Sequence, residues 1–197
     1  MPDTPYGRSK LQAEQRVLEA VSKTGQPLGS VLRLAAVYGP SVKGNYERLL
    51  IGLARRRFLP VGAGLNRRTL VFEDDVARAV LLAAAKVEAG AQVFNVTDGE
   101  IHTVREIIAA IAAGLGRKAP ALHVPAGAAR FAVAAAEAAC RTVGRPSPVT
   151  RATLDKYLED VAVSGQRLRD TLGFQPQWGI EQGWSHTIHE LRRQGRL

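Results

Sequence analysis

A tyrosine and a lysine stand four residues apart in the first segment of the chain, MPDTPYGRSK. On a helix, residues at this spacing have Cβ atoms about 5–6 Å apart, so Tyr6 and Lys10 can share one face of a first turn. A phenol is ordinarily too weak an acid to serve as a base at neutral pH, but a neighbouring ammonium group favours its phenolate. The pair predicts a general base that accepts a proton from a hydroxyl group. The spacing alone also fits an exposed tyrosine beside a solvated lysine.

The charge of the chain favours an anionic ligand. It has 27 Lys and Arg residues against 18 Asp and Glu residues, a net charge of +9 in 197 residues,. Basic residues are scattered, with small clusters at 55–57 and 67–68, and no RNA-binding aromatic motif accompanies them. We therefore expect a phosphate-bearing small molecule rather than nucleic acid.

Few residues suit metal binding. Cys140 is the only cysteine, which excludes an internal disulfide, and its Ala-rich surroundings predict a buried structural thiol in a reducing cytoplasm. Among the four histidines, only His186 and His189 have a ligand-like i,i+3 spacing. Asp74 and Asp75 stand just before a predicted helix, where they would cap it and meet its dipole. We predict no metal site.

The sequence also predicts no membrane segment. The most apolar stretch, residues 126–140, is interrupted by Arg130 and Glu137, and it is shorter than the about 20 apolar residues that cross a bilayer. The N-terminal residues are polar and do not resemble a signal peptide. We therefore expect a cytoplasmic protein.

Helical and strand patterns alternate along the first part of the chain. We predict helices at 6–23, 45–57, 76–89 and 104–116, and strands at 30–39, 67–75 and 91–99. The strand at 30–39 is continuously apolar, which indicates burial on both faces. This order of elements is typical of an α/β fold with parallel strands.

Local patterns add detail to these elements. The segment RRTLVFEDD alternates, which predicts a strand with Leu70 and Phe72 on one face,. Thr103 and Glu106 form a T-x-x-E capping box at a helix start. From residue 120 onward the sequence predicts mainly helices, at 126–142, 150–160, 164–173 and near 180–193.

Five segments resemble, in order, the extended short-chain dehydrogenase/reductase family, and within it the NAD-dependent nucleotide-sugar epimerases and dehydratases such as UDP-glucose 4-epimerase. PYGRSKLQAE resembles the catalytic helix of that family, and LRLAAVYGP resembles the strand and turn that follow it. RRTLVFEDDVARAV resembles its R-D-F-V-H-V-D-D-V-A segment. VFNVTDGE and LRDTLGFQPQWGIEQGW resemble its closing portion.

The resemblance implies a fold and a division of the chain. The fold would be the C-terminal part of a Rossmann-like doubly wound parallel sheet with a mainly helical substrate-binding lobe. Residues 1–43 would be the remnant of the NAD-binding domain and residues 44–74 a substrate-binding segment. Residues 75–99 would return a helix and a strand to the sheet, and residues 100–197 would form the substrate-binding C-terminal lobe.

A mechanism is implied as well. Tyr6, as a phenolate, would accept the proton of the sugar 4-hydroxyl while a hydride passes to NAD, and the 4-keto sugar would turn over and take the hydride back on its other face. Lys10 would hold the nicotinamide ribose and favour the phenolate. Both residues are therefore predicted to be catalytic and cofactor-binding.

Five further residues are predicted to bind the nucleotide sugar. Arg68 matches the family arginine that meets the diphosphate, and a guanidinium group suits phosphate oxygens; the alternative is a solvated arginine at a strand end. Asn45 stands where relatives use an asparagine near the diphosphate, or is a helix N-cap. Pro60 and Val61 occupy the loop that flanks the nucleobase in relatives. Arg151 is a second phosphate candidate or a surface arginine.

Three positions depart from the family pattern. Ala36 stands where many relatives place an asparagine that touches the sugar, so the exact sugar is open. Glu73 replaces a common valine, and Ser164 replaces a common aspartate but still suits a helix cap.

The segments that precede the Tyr/Lys helix in this family have no match in the sequence. No strand-borne G-x-G-x-x-G loop occurs, and GAGLNR at 62–67 lies between a predicted helix and a strand, with the wrong polarity for a pyrophosphate loop,. The resemblance thus implies the C-terminal half of such an enzyme, truncated before Tyr6. We expect it to bind NAD weakly or not at all and to be inactive alone.

The leading prediction is an NAD-dependent 4-epimerase of a UDP-hexose or UDP-N-acetylhexosamine, of the kind used in polysaccharide biosynthesis. A dehydratase or 4-ketoreductase of the same family is the nearest alternative. A non-catalytic module that uses the +9 charge to bind an anionic polymer is an alternative of another class. Removal of half a sheet would leave an unpaired strand edge, so we expect a homo-oligomer.

Overall fold

The structure is a computed structural model that describes residues 4–147 and 149–197. Helices and short strands alternate in its first part, and helices dominate the rest. In chain order the elements are α1 (Pro5–Glu19), β1 (Val31–Leu34), β2 (Ala36–Tyr38), α2 (Asn45–Ala54), β3 (Arg67–Arg68), β4 (Leu70–Phe72), α3 (Glu73–Ala85), a 3₁₀ turn (Val87–Ala89), β5 (Val93–Val96), β6 (His102–Thr103), α4 (Val104–Gly114), α5 (Ala126–Thr142), α6 (Arg151–Leu158), α7 (Gln166–Leu172) and α8 (Ile180–Arg193).

The chain divides into two compact units, each built from three segments. The first unit consists of Met1–Val37, Leu70–Glu100 and Val163–Gly179. The second consists of Tyr38–Thr69, Ile101–Ala162 and Ile180–Leu197.

A parallel strand pair lies at the centre of the first unit. β1 pairs with β5 from Val31 opposite Val93 to Leu34 opposite Val96, which confirms the predicted parallel pairing. β2 pairs with β4. The core of this unit contains side chains from β4, β5, α3, α7 and the segment after α7, and its fully buried members include Val71, Ala79, Phe94, Val96 and Leu168.

Two strand predictions need correction. The predicted strand 30–39 is interrupted at Ala35, whose N–H donates to Val96 O at 2.9 Å, and so becomes β1 and β2. The alternation predicted for residues 67–75 is wrong, because Leu70, Val71 and Phe72 are all fully buried. β4 is therefore covered on both faces, as the continuous apolar run within it also permits.

Helix α1 is shorter than the predicted 6–23. It ends at Glu19, and the following residues form a turn that is closed by a serine side chain. Ser22 Oγ accepts hydrogen bonds from Thr24 N at 3.2 Å and from Gln26 N at 3.0 Å. Local side-chain bonds of this kind compete with helical hydrogen bonding, which explains the early end.

Asp75 does not cap a helix, contrary to the prediction. Helix α3 starts directly after β4, at Glu73, so Asp75 falls in its first turn and is fully buried. Its carboxylate accepts from Gln177 N at 3.1 and 3.0 Å, from Trp178 N at 3.1 Å and from Arg78 NH1 at 2.7 Å. Asp75 thus fixes the segment after α7 to α3.

The core of the second unit lies between α4 and α8. Ile107 and Ile111 of α4 and Trp184 and Ile188 of α8 are buried almost completely. The predicted capping box is confirmed, since Thr103 N donates to Glu106 Oε2 at 2.7 Å and Glu106 N donates to Thr103 Oγ1 at 3.2 Å. In the same unit β3 pairs antiparallel with β6.

A stacked aromatic pair anchors α8 in the second unit. The rings of Tyr38 and Trp184 lie 4.8 Å apart between centroids with an interplanar angle of 26°. Gly183 permits this approach, because a Cβ at that position would lie 2.8 Å from Tyr38 Cε2. Close contact between the ring and the helix backbone therefore requires glycine.

Two of the predicted C-terminal helices are confirmed, whereas the predicted burial of Cys140 is wrong. Helices at 126–142 and near 180–193 are confirmed as α5 and α8. Cys140 on α5 is half-buried rather than buried. Gln166 is the first residue of α7, and its N–H donates to Ser164 Oγ at 3.2 Å. The N-cap position itself is occupied by Gly165. None of the described helices has the length and apolar character of a membrane span.

Candidate functional site

Tyr6 and Lys10 lie on the exposed first turn of α1. Thr4 caps this helix, because its Oγ1 accepts from Gly7 N at 3.0 Å, and Pro5 is the first helical residue. Proline is favoured there since its missing N–H has no partner in a helix anyway. These two residues start the helix directly before Tyr6 and so place Lys10 one turn further along.

Lys10 and Tyr6 lie close together at the start of α1. The Lys10 ammonium nitrogen is 5.6 Å from the centre of the Tyr6 ring, a distance at which a cation is attracted to an aromatic ring,. Tyr6 is 71% exposed, so its hydroxyl group is accessible to a ligand. The structure thus brings a positive charge and an accessible phenol together in the first unit.

Arg68 is held by the C-terminal end of α6. Its NH1 donates to Arg67 O at 2.9 Å and to Glu159 O, and its NH2 donates to Tyr157 O at 2.9 Å and to Lys156 O at 3.3 Å. A guanidinium group at a helix C-terminus satisfies carbonyls that have no helical partner. Arg68 is therefore not a solvated strand-end arginine; within the described residues, nothing accepts from its Nε.

Two tyrosines share the surroundings of Arg68. Burial raises the pKa of Tyr46, and the charge of Arg68 opposes this increase. Burial likewise raises the pKa of Tyr157, against the opposing effects of the Val61 backbone amide and of Arg68. The Tyr157 hydroxyl is buried and has no hydrogen-bond partner among the described residues.

Through these two tyrosines, the surroundings of Arg68 extend to the segments that contain Asn45 and Val61. Asn45 precedes Tyr46 and is the exposed first residue of α2. The N-cap of α2 is Gly44, so the alternative of Asn45 as an N-cap is wrong. Tyr46 and Tyr157 were not predicted, although the position of Tyr46 directly after Asn45 was a usable sequence signal.

The loop that contains Pro60 and Val61 is tied to a second segment. Val124 N donates to Pro60 O at 2.8 Å, and Gly62 N donates to Val124 O at 2.8 Å. Pro60 is buried and Val61 half-buried. The loop is thus fixed by backbone pairing on both sides of Val61.

Arg151 makes different contacts. It is the first residue of α6, and its Nε lies 3.5 Å from Glu137 Oε2 of α5 while its backbone N donates to Glu137 Oε1 at 3.2 Å. Its side chain is 65% exposed. The structure therefore places Arg151 in a surface ion pair between two helices.

No group of three or more potential metal ligands occurs in the part of the chain that the structure describes. His186 and His189 lie on α8 without further clustered His, Cys, Asp or Glu ligands in that same part.

The chain is similar in sequence to known epimerases. Residues 1–97 match the NAD dependent epimerase/dehydratase family. The chain is 24% identical over 189 residues to N-acetyl-alpha-D-glucosaminyl-diphospho-ditrans,octacis-undecaprenol 4-epimerase of Escherichia coli O157:H7, covering 95% of this chain and 56% of the relative. It is 26% identical over 187 residues to UDP-glucose 4-epimerase of Vibrio cholerae, covering 94% and 53%.

A solved structure agrees in fold. The UDP-glucose 4-epimerase of Thermotoga maritima, in a crystal structure with UDP-glucose, superposes with a TM-score of 0.68 at 23% identity, over 98% of this chain and 55% of that one. The fold is thus the α/β, Rossmann-like fold of the epimerases and dehydratases, as predicted. The chain is thus similar to the NAD-dependent epimerase/dehydratase family over its first 97 residues and to 4-epimerases along almost its whole length. It spans about half the length of the curated relatives that it matches.

Proposed function

We propose that this chain carries the Tyr/Lys pair and the substrate-binding part of an NAD-dependent nucleotide-sugar 4-epimerase that acts on a UDP-hexose or a UDP-N-acetylhexosamine. The observation that carries this proposal is the Lys10 ammonium 5.6 Å from the ring centre of an exposed Tyr6. The 4-epimerase names of relatives that align along almost the whole chain support it.

The exposed pair fits the ribose and ring of a nicotinamide cofactor. Lys10 is exposed and makes no ion pair with the described residues, so its donors are available to ribose hydroxyls. When bound, NAD supplies the acceptance and return of a hydride. Tyr6, as the phenolate that Lys10 stabilises, would take the proton of the sugar 4-hydroxyl and return it after the sugar has turned over.

Arg68, Asn45 and the loop at Pro60 and Val61 are the proposed nucleotide contacts. Arg68 would offer Nε to a diphosphate oxygen while its terminal nitrogens stay on the α6 carbonyls. Arg151 would reach a phosphate only after it leaves Glu137, so it is the weaker contact. Because Ala36 replaces a common sugar-contacting asparagine, a dehydratase or 4-ketoreductase of the same family is the nearest alternative.

The 197 residues contain no G-x-G-x-x-G loop for the dinucleotide phosphates,. We therefore propose that they alone bind NAD weakly or not at all and do not turn over a UDP-sugar. Incubation of the purified chain with NAD and UDP-glucose, followed by chromatography of the sugar nucleotides, checks this; formation of a UDP-hexose product would contradict it.

Nucleotide binding tests the substrate assignment. Arg68→Ala should weaken the binding of UDP by about tenfold, because a charge-assisted hydrogen bond to phosphate is lost. Arg67→Ala is the matched control, since Arg67 is the exposed neighbour and pairs with Asp160 at 3.7 Å. Calorimetric titration measures both, and circular dichroism checks that the variants fold.

The same titration distinguishes the proposed epimerase from the alternative of a non-catalytic module that binds an anionic polymer. An anion-binding module would bind an RNA or DNA oligonucleotide with an affinity that falls steeply with salt, and would not bind UDP. That result, or equal UDP affinity in wild type and Arg68→Ala, would contradict the proposed assignment.

A further inference from the structure

Four helices end in the same backbone motif, but one of them has an unusual residue in it. After α2, α4, α5 and α8, an N–H two residues past the cap bonds to a carbonyl five residues earlier, as in Arg57 N to Gly52 O at 2.8 Å. The residue before that N–H has a positive φ in every case. It is glycine after α4, α5 and α8 (Gly116, Gly144, Gly195), but Arg56 with φ 55° after α2.

This position disfavours arginine. Left-handed backbone brings the Cβ of an L-residue close to the following carbonyl, and glycine avoids that cost. The chain uses glycine at the equivalent position of the other three helices. A residue held in an unfavourable conformation is an indication of function when its side chain lies at a site.

The side chain of Arg56 lies at an open cleft in the second unit. The cleft has a volume of about 440 Å³, and Arg56, Arg117 and Lys118 supply its cationic groups. This volume is within the range of small-molecule sites, about 300–1,000 Å³. None of these residues belongs to the candidate epimerase site.

Part of the cleft lining is apolar. Phe58, Leu115 and Pro120 line it, together with Leu53. Phe58 is positioned by Gly52, since a Cβ on that residue would lie 3.2 Å from Phe58 Cβ. The cleft therefore offers both an apolar surface and a cationic group of side chains.

The charge at the cleft stays positive after its local partners are counted. Arg117 NH1 donates to Leu53 O at 3.3 Å and Ala54 O at 2.6 Å at the end of α2. The C-terminal ends of α2 and α4 each carry a charge equivalent to about −0.5. The three cationic side chains outweigh this negative charge. Arg56 and Lys118 form no ion pair or hydrogen bond through their side chains with any residue the structure describes, and no carboxylate lines the cleft.

We propose that this cleft binds the phosphate end of an organic phosphate whose apolar body packs against Phe58 and Leu115. Arg56 and Lys118 bind the phosphate oxygens, and Arg117 links the cation cluster to the end of α2. The ligand is either a free organic phosphate or the headgroup of a phospholipid, which present the same chemistry.

The conformation of Arg56 gives a sharp test. Arg56→Gly should raise the melting temperature, because glycine relieves the left-handed backbone, and should weaken the binding of geranyl diphosphate by about tenfold, because a charge-assisted contact is lost. Lys118→Met should weaken binding similarly without the gain in melting temperature. Arg57→Ser removes the same charge from the adjacent residue, which does not line the cleft, and should leave the dissociation constant nearly unchanged.

Inorganic pyrophosphate is the second probe and should bind more weakly than geranyl diphosphate, because it lacks an apolar body. Vesicles with and without phosphatidic acid identify the source: sedimentation with the acidic vesicles that is lost in Lys118→Met indicates a lipid headgroup, and its absence indicates a free phosphate.

Three results would overturn the proposal. Wild-type protein that binds neither diphosphate at millimolar concentration has no such site. Equal weakening by Arg57→Ser and Lys118→Met would indicate general surface charge. Unchanged binding in Arg56→Gly, with the melting temperature raised, would show that Arg56 has no part in ligand binding.

Discussion

At the scale of single residues, contacts within one helix could be predicted from the sequence, and contacts between distant segments could not. The spacing of Tyr6 and Lys10 predicts that their side chains are neighbours, because residues four apart on a helix lie on the same face. Arg68 and Asp75 are different, since their partners come from segments 88 and 102 residues further along the chain. Local spacing carries no information about such partners, so the prediction of Asp75 as a cap failed.

Asp75 leads to a prediction about stability. Asp75→Asn keeps the shape of the side chain but removes its charge and turns one acceptor into a donor that faces backbone N–H groups. We expect a loss of about 1–3 kcal/mol in the free energy of unfolding, because buried donors lose their acceptor. Urea unfolding followed by circular dichroism measures it. Asp74→Asn, an exposed neighbour in the same turn, should change stability much less; similar losses in both variants would contradict this role of Asp75.

At the scale of elements, helix positions were predictable and strand environments were less so. The periodic runs of α5 and α8 and the capping box of α4 depend on neighbouring residues, so the sequence was sufficient for them. The burial of β4 on both faces depends on which elements cover it, and an alternating pattern in three residues is too short to decide that. Tyr46 and Tyr157 meet Arg68 only through the folded chain for the same reason.

The capping box predicts a pH dependence. Hydrogen bonds from the Thr103 backbone and hydroxyl lower the pKa of Glu106. A carboxyl group with a lowered folded-state pKa adds stability above its unfolded pKa of about 4.3, and that stability is lost as the pH falls through the folded pKa. Thr103→Ala should cost about 1 kcal/mol at neutral pH.

Urea unfolding at a series of pH values provides the measurement. The stability difference between Thr103→Ala and wild type should shrink as the pH falls below about 4. Glu106→Gln should flatten the same part of the wild-type curve. A Thr103→Ala difference that stays constant down to the lowest pH at which the protein folds would argue against the contribution of Glu106.

The contact of α8 with Tyr38 gives a third prediction. Gly183→Ala should improve helix propensity by up to about 1 kcal/mol, but its Cβ would lie 2.8–2.9 Å from the fully buried Tyr38 ring. Overpacking costs about 1–3 kcal/mol, so we expect a net loss of stability. Thermal unfolding measures it.

Gly127→Ala on α5 is the matched control, because a Cβ there meets nothing within 4 Å. It should stabilise the protein slightly. A Gly183→Ala variant as stable as Gly127→Ala would mean that the stacked arrangement of Tyr38 on α8 tolerates a methyl group.

At the scale of the whole molecule, apolar side chains are exposed in the first unit. Leu34 of β1 is 45% exposed, and Val80 and Leu81 of α3 are 49% and 70% exposed. Within the described residues β1 has only β5 as a strand neighbour. Exposed apolar side chains and an unpaired strand edge favour association between chains.

We therefore predict that the purified chain self-associates, as its sequence already indicated. Sedimentation velocity should show a species larger than 21.2 kDa, and Leu81→Lys should shift it toward monomer. Leu122→Lys, at a 78% exposed loop position of the second unit, should not. A monomer at all concentrations in the wild-type protein would contradict the prediction.

The attachment of α1 has a consequence for local motion. None of its side chains is fully buried, and an ion pair between Glu14 and Arg33 at 2.5 Å links it to β1. Pairs of this exposure contribute about 0–1 kcal/mol and weaken with salt. Amide protons of α1 should therefore exchange with deuterium faster than those of α4, and faster still in concentrated salt, so the helix that bears Tyr6 and Lys10 opens without unfolding the rest.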